Sequence, residues 1–401
     1  MPIHNSHPSG RHFLQIPGPT NVPDRVLRAM DHPTIDHRSP EFQKLSKKVL
    51  SNIKQIFQTQ CPVIIYPASG TGAWEAALVN TLSRGDRVLM YETGHFATLW
   101  KKMAEKLSLN VEFIGDDWHR GIDSAKIEAR LTEDKAHSIK AVCVVHNETS
   151  TGVTSNILEV RRAIDKSRHP ALLFVDTISS LASIDYRHDE WGVDVSVGCS
   201  QKGLMLPPGI ALNAISEKAI ATSKYANLQR SFWSWDEILE ANKNGFWPYT
   251  PPTNLLYGLA ESCDMLLEEG LENVFNRHQR HAEATRRAVW AWGMQLMCQN
   301  PAEYSHSLTA VVMPKDNTGQ YYDADKLRRI ILRNFNMSLG TGLNKLSGWV
   351  FRIGHLGDLN DLTLVGTLAG VEMGFELAGV PYQKGGAQEA MSYLSATIPK
   401  D

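Results

Sequence analysis

From about residue 60 to 215 the chain alternates short apolar runs with amphipathic stretches, and that alternation constrains the fold more than any other feature. Val63-Ile64-Ile65-Tyr66, Arg87-Val88-Leu89-Met90-Tyr91, Ala141-Val142-Cys143-Val144-Val145, Leu172-Leu173-Phe174-Val175, Val193-Asp194-Val195-Ser196-Val197 and Ile210-Ala211-Leu212-Asn213-Ala214-Ile215 have the length and content of strands. Between most of them lie helix-like segments such as Ala73 to Leu82 and Ile157 to Lys166. Runs this apolar are buried on both faces, so the pattern predicts an α/β fold with a mostly parallel sheet covered by helices and ligands at the carboxyl ends of its strands. After about residue 255 the texture changes. Leu255 through Trp292 reads as one long helical stretch, followed by strands near Thr309-Ala310-Val311-Val312 and Val350-Phe351-Arg352-Ile353, which predicts a smaller α+β domain. Gly10 to Pro23, with Pro17-Gly18-Pro19, reads as irregular. The resulting division is an arm over residues 1–21, a large domain over 22–268 and a small C-terminal domain over 269–401.

A length of 401 residues, 42% of them hydrophobic, suffices for two such domains. The formal charge of −2 gives no basic field for nucleic acid or anionic lipid. Cys61, Cys143, Cys199, Cys263 and Cys298 show neither CxxC nor metal-site spacing, which fits a reducing compartment without a disulfide framework. Met1 to His7 lacks the apolar stretch of a signal peptide, no run of about 18 apolar residues could span a bilayer, and the ending Ile398-Pro399-Lys400-Asp401 is not a peroxisomal tripeptide. A cytoplasmic protein is the expectation.

Chemistry enters with two charged residues near predicted strand ends. Asp176 closes the run Ala171 to Val175, and Lys202 lies in Gly198-Cys199-Ser200-Gln201-Lys202-Gly203. A lysine amine and a poorly solvated acid are what pyridoxal phosphate requires, the first for a Schiff base and the second to keep the pyridine nitrogen protonated. Holding that proton about two or three units above its free pKa takes roughly 3–4 kcal/mol of ion pairing. Taken singly, each residue is equally consistent with a helix-capping Asp or a surface lysine.

A third element points to phosphate. Val63 to Tyr66 runs into Ser69-Gly70-Thr71-Gly72-Ala73-Trp74-Glu75, a glycine-rich turn opening a helix, where free N–H groups and two hydroxyls make an anion site. A dinucleotide fingerprint competes, because Glu92 ends the next strand near the distance at which a ribose-binding acid sits. It fails at its third glycine, where position 75 is Glu, and a P-loop lysine is missing. Phosphate without pyrophosphate fits better.

Arg352 sits in an apolar strand, where a guanidinium needs a partner: a substrate carboxylate gripped bidentately, or an acid of the small domain in a buried ion pair. His278 and His281 have helical i, i+3 spacing without an acid or Cys at metal-site spacing, and read as a solvated helix face. Trp233 and Trp235 fit a wall of the site, an interface or a core equally.

Taken together, these motifs resemble one family: the fold type I, class V aminotransferases that depend on pyridoxal phosphate, in their serine–glyoxylate and alanine–glyoxylate branch. The likeness covers about residues 10 to 385. It rests on Ile16 to Pro23, Ile35-Asp36-His37-Arg38-Ser39-Pro40, Ser69 to Glu75, His146-Asn147-Glu148-Thr149-Ser150-Thr151-Gly152-Val153, Ser200 to Gly203, Trp247-Pro248-Tyr249-Thr250-Pro251 and Phe351 to Gly357. The resemblance implies that Lys202 carries the cofactor and shuttles the proton, and that Asp176 pairs with the ring nitrogen. It further implies that Ser69, Gly70, Thr71 and Gln201 hold the phosphate, with Thr250 reaching it from a neighbouring subunit. Phe96 would stack on the ring where many relatives use Trp, Ile178 would press the opposite face, and Thr149 would lie near the ring hydroxyl. Arg352, with Gly18 and Arg38, would bind substrate. The implied reaction moves an amino group from L-serine, with L-alanine as a further donor, to glyoxylate in a homodimer with shared sites; the same scaffold could take aspartate or a hydroxyaspartate. A non-catalytic or dinucleotide-binding protein would have to retain Lys202, Asp176 and Arg352 by chance.

Overall fold

The computed structural model describes residues 10–398. The terminal stretches Met1 to His7 and Pro399 to Asp401, weighed above as targeting signals, lie outside the described residues. The expected sheet is present and has seven strands in the order Val63–Tyr66, Ala211–Ile215, Val195–Cys199, Leu172–Asp176, Ile139–Val145, Arg87–Tyr91, Asn110–Ile114. Every neighbouring pair is parallel except those made by Ala211–Ile215, which runs antiparallel to both its neighbours. Leu172–Asp176 and Val195–Cys199 are buried at every position, as strands covered on both faces must be.

Two details of this sheet differ from expectation. The strand read as Val193 to Val197 begins two residues later, because the Asp194 carboxylate is taken up by the Leu173 N–H at 2.8 Å and the Ser216 hydroxyl at 2.9 Å. Asn110–Ile114 was not expected at all. It is a half-exposed edge strand whose Glu112 is tied to Arg130 and Arg87, so it lacks the continuous apolar run of the inner strands.

A second, five-stranded sheet orders Phe13–Gln15, Met337–Thr341, Val350–Gly354, Leu308–Val312 and Gln295–Leu296. Phe13–Gln15 pairs parallel with Met337–Thr341, so the segment read as irregular supplies a strand to the sheet that carries Arg352. Behind this sheet, Leu327, Ile331, Leu364, Leu368, Val371 and Phe375 form a separate core with Phe351 and Ile353. The stretch expected as one helix is two, Thr253–Glu269 and Leu271–Ala291, meeting at Gly270.

The solvated-face reading of His278 and His281 is overturned, since both are buried. His278 Nδ1 lies 2.7 Å from the Val274 carbonyl, its Nε2 accepts the Gly357 N–H at 3.0 Å, and His281 Nε2 lies 3.0 Å from Asp361. They tie the long helix to the end of the Arg352 strand. Among the described residues no helix is long and apolar enough to cross a membrane.

Candidate active site

The carboxyl ends of the parallel strands lead into the expected residues. Leu172–Asp176 ends on Asp176 itself, Val195–Cys199 leads to Gln201 and Lys202, Ile139–Val145 to Thr149, and Arg87–Tyr91 to Phe96. Val63–Tyr66 leads to Ser69, the residue before the helix Gly70–Thr81. The arm closes over this edge. Thr20 donates its hydroxyl to the Lys202 carbonyl at 3.0 Å and its N–H to Gln201, while the Pro17 carbonyl accepts from Lys202 Nζ. Gly18 has φ +100°, and a side chain there would run into the Lys202 amine.

Three ionisable groups are buried here without a salt bridge among the described residues. Asp176 is 4% exposed, Arg352 7% and Lys202 9%. Asp176 accepts N–H bonds from Ile178 at 2.7 Å and the Trp74 indole at 3.0 Å. Arg352 donates to the carbonyls of Thr341 and Thr149, each at 2.8 Å. Among the described residues none of the three forms a salt bridge, so the ion pair with an acid of the small sheet that Arg352 could have made is not there.

Burial sets the acid–base character of all three. It pushes Asp176 up to about 7, with the charge of Glu148 adding to the effect. It pulls Lys202 down to about 8, assisted by Arg352, and Arg352 itself to about 10. Lys202 and Asp176 each favour the other's charged form, and Glu148 favours that of Arg352. Unpaired buried charges cost several kcal/mol unless a ligand compensates them, and such clusters mark functional sites.

Two residues of this site were not singled out from the sequence. Glu148 is fully buried and accepts from the N–H groups of Phe96, Ala97 and Ser150 and from the Ser150 hydroxyl. It thereby caps the helix His95–Lys106 and fixes the position of Phe96. Its place in the His146 to Val153 motif was the available signal. Trp74 supplies the second N–H to Asp176 and stacks on Trp100, with ring centroids 5.8 Å apart. Trp235 is core, its indole donating to the Tyr66 hydroxyl at 2.7 Å, whereas Trp233 is partly buried and lies against Gly72.

The residues present fit pyridoxal phosphate. Ser69 makes no side-chain cap of its own to the helix it precedes, so its hydroxyl and the first helical N–H groups remain for an anion. The Gln201 side chain makes no hydrogen bond among the described residues, so its amide N–H groups remain to donate to an anion. Gly70 packs so closely on Ile178 that any side chain would displace it. The Thr149 hydroxyl donates to Ser179 at 2.8 Å, leaving its oxygen free to accept. Thr250 and Arg38 are exposed on this chain and are not brought together with the rest.

A family model described as Aminotransferase class-V matches residues 12–333. Serine–glyoxylate aminotransferase of Methylorubrum extorquens is 47% identical over 392 residues, covering 96% of both chains. L-Aspartate–glyoxylate aminotransferase of Paracoccus denitrificans is 45% identical over 390 residues, covering 96% of this chain and 97% of the relative. The crystal structure of pyridoxamine–pyruvate aminotransferase from Mesorhizobium loti is similar with a TM-score of 0.89 at 25% identity, covering 98% of this chain and 100% of that one. With its fold type I architecture and full-length relatives, the chain belongs to the class-V aminotransferases, the transaminases that use pyridoxal phosphate.

Proposed function

We propose that this enzyme transfers the amino group of L-serine, and secondarily of L-alanine, to glyoxylate, giving hydroxypyruvate or pyruvate and glycine. The observation that carries this reading is the buried guanidinium of Arg352, which forms no salt bridge among the described residues, although Glu148 acts on it, and whose charge is felt at Lys202. A single clamp for an α-carboxylate suits two substrates that enter in turn and share that group.

Bound pyridoxal phosphate supplies the electron sink that lets a Cα–H bond break heterolytically. Lys202 Nζ would anchor the cofactor and would take up and return the proton of the substrate Cα. Its depressed basicity, about 8, brings it close to the range in which an amine both takes and returns a proton near neutral pH. Asp176 would hold the proton on the ring nitrogen. Ser69, Gly70, Thr71 and Gln201 would hold the phosphate, Phe96 and Ile178 would pack against the ring, and Thr149 would meet the ring hydroxyl. Gly18 leaves the space beside Lys202 in which the substrate carboxylate meets Arg352.

The site is completed by a second copy of the chain in a cytosolic homodimer. Thr250 is exposed here, as a residue that reaches a neighbour's phosphate must be. An aspartate donor is the second reading, supported by the Paracoccus denitrificans relative. It requires a second cation for the β-carboxylate, and Arg38, exposed on this chain, is free to supply one across the dimer. A panel of L-serine, L-alanine and L-aspartate against glyoxylate, following glycine, separates the two. L-Serine should give the highest kcat/KM, and a higher value for L-aspartate would assign the enzyme to the second reading.

A further inference from the structure

Asp176 is pulled in two directions. It sits in the dry interior, and the nearby Glu148 carries the same charge, so both surroundings favour its neutral form. Opposing them are the charge of Lys202 and two N–H groups, one on each carboxylate oxygen. Ile178 donates its backbone N–H to Oδ1, and the Trp74 indole donates to Oδ2. The indole is the one side-chain donor to this carboxylate among the described residues. Trp74 is itself 3% exposed, so water cannot readily take its place. Its plane is set by stacking on Trp100 at an interplanar angle of 12°, which aims the N–H.

We propose that Trp74 is a positioning residue for the acid beneath the cofactor: its indole N–H keeps Asp176 ionised and aimed, so that the shared proton rests on the ring nitrogen. This rests on the reading above that Asp176 faces that nitrogen. The bland alternative is that Trp74 fills space on the buried face of the helix Gly70–Thr81. The two differ at a single atom. A space-filler works through its rings and tolerates loss of the N–H, whereas a positioning residue works through Nε1.

The experiment compares wild-type, Trp74→Phe, Trp74→His and Asp176→Asn holoenzymes, each loaded with pyridoxal phosphate labelled with nitrogen-15 in the ring. Circular dichroism and melting curves establish that each is folded. Trp74→Phe keeps an aromatic ring against Trp100 but removes the donor together with some buried volume, so the nitrogen signal rather than the rate decides; Trp74→His, smaller still, restores an N–H. In Trp74→Phe the ring-nitrogen signal should move from the pyridinium position toward that of neutral pyridine. The half-reaction with L-serine should slow roughly ten- to a hundred-fold, the range for losing one hydrogen bond to a charged group. Trp74→His should recover part of both. If the nitrogen signal moves in Asp176→Asn but not in Trp74→Phe, Trp74 is a packing residue and the proposal fails while the role of Asp176 stands. If the signal moves in neither, Asp176 does not face the ring nitrogen and both readings fall.

Discussion

Lys202 and Arg352 carry the account at the scale of single residues. An amine must be neutral to capture an aldehyde, and burial brings Lys202 to about 8. Capture of pyridoxal phosphate by cofactor-free enzyme should therefore accelerate as pH rises through about 8 and then level off. An ordinary lysine would keep accelerating towards about 10.4, and stopped-flow absorbance separates the two curves. Arg352→Lys should raise KM for L-serine and for glyoxylate together, by about 2–3 kcal/mol in each half-reaction, because an ammonium cannot reproduce two parallel hydrogen bonds to a carboxylate. Unchanged midpoints with a lowered Tm would make Arg352 structural instead. Singly, Lys202 and Asp176 could not be told from a surface lysine and a capping Asp, nor Arg352 from half of a buried ion pair; what the sequence offered was their combination beside apolar strands and a glycine-rich turn. Trp74 was not legible. A tryptophan on a buried helix face is ordinary core, and its hydrogen bond appears only with an acceptor at the end of a strand, 102 residues away along the chain.

At the scale of elements, the sheet was readable wherever strands are buried on both faces, since only there does hydrophobicity run unbroken. It was not readable at Asn110–Ile114, where one edge meets water, or at Phe13–Gln15, a strand of three residues whose existence depends on Met337–Thr341 lying beside it. Gly270 was passed over because helical periodicity persists on both sides of it. Glu148 shows the same dependence on distant partners, since its cap exists only once the helix His95–Lys106 arrives with its free N–H groups. Glu148→Gln keeps the volume but turns an amide toward those donors, and it should destabilise the cofactor-free protein by about 1–3 kcal/mol. Thermal melts check the loss, and the variant should also bind pyridoxal phosphate less tightly because Phe96 is released. An unchanged melt would mean that other groups satisfy that helix end.

At the scale of the whole molecule, two sheets meet around one site. The seven-stranded sheet brings Asp176 and Lys202, the five-stranded sheet brings Arg352, and the arm joins them through Phe13–Gln15 on one side and Thr20 on the other. Asp176 and Lys202 come from one sheet and Arg352 from the other, and Thr250 and Arg38 are exposed on this chain, where the proposed dimer would use them. The active species should therefore be a dimer. Sedimentation at assay concentration should find it, and Thr250→Val should weaken pyridoxal phosphate binding; a monomer with full activity would show that the site is complete within one chain. The most direct measurement of the central claim follows nitrogen rather than rate. Enzyme loaded with pyridoxal phosphate is given L-serine labelled with nitrogen-15, together with glyoxylate, and the products are read by mass spectrometry. The label should appear in glycine, matched mole for mole by hydroxypyruvate, and Lys202→Ala should transfer none. Wild-type enzyme that forms no labelled glycine, or a Lys202→Ala variant that forms it at the wild-type rate, would contradict the account.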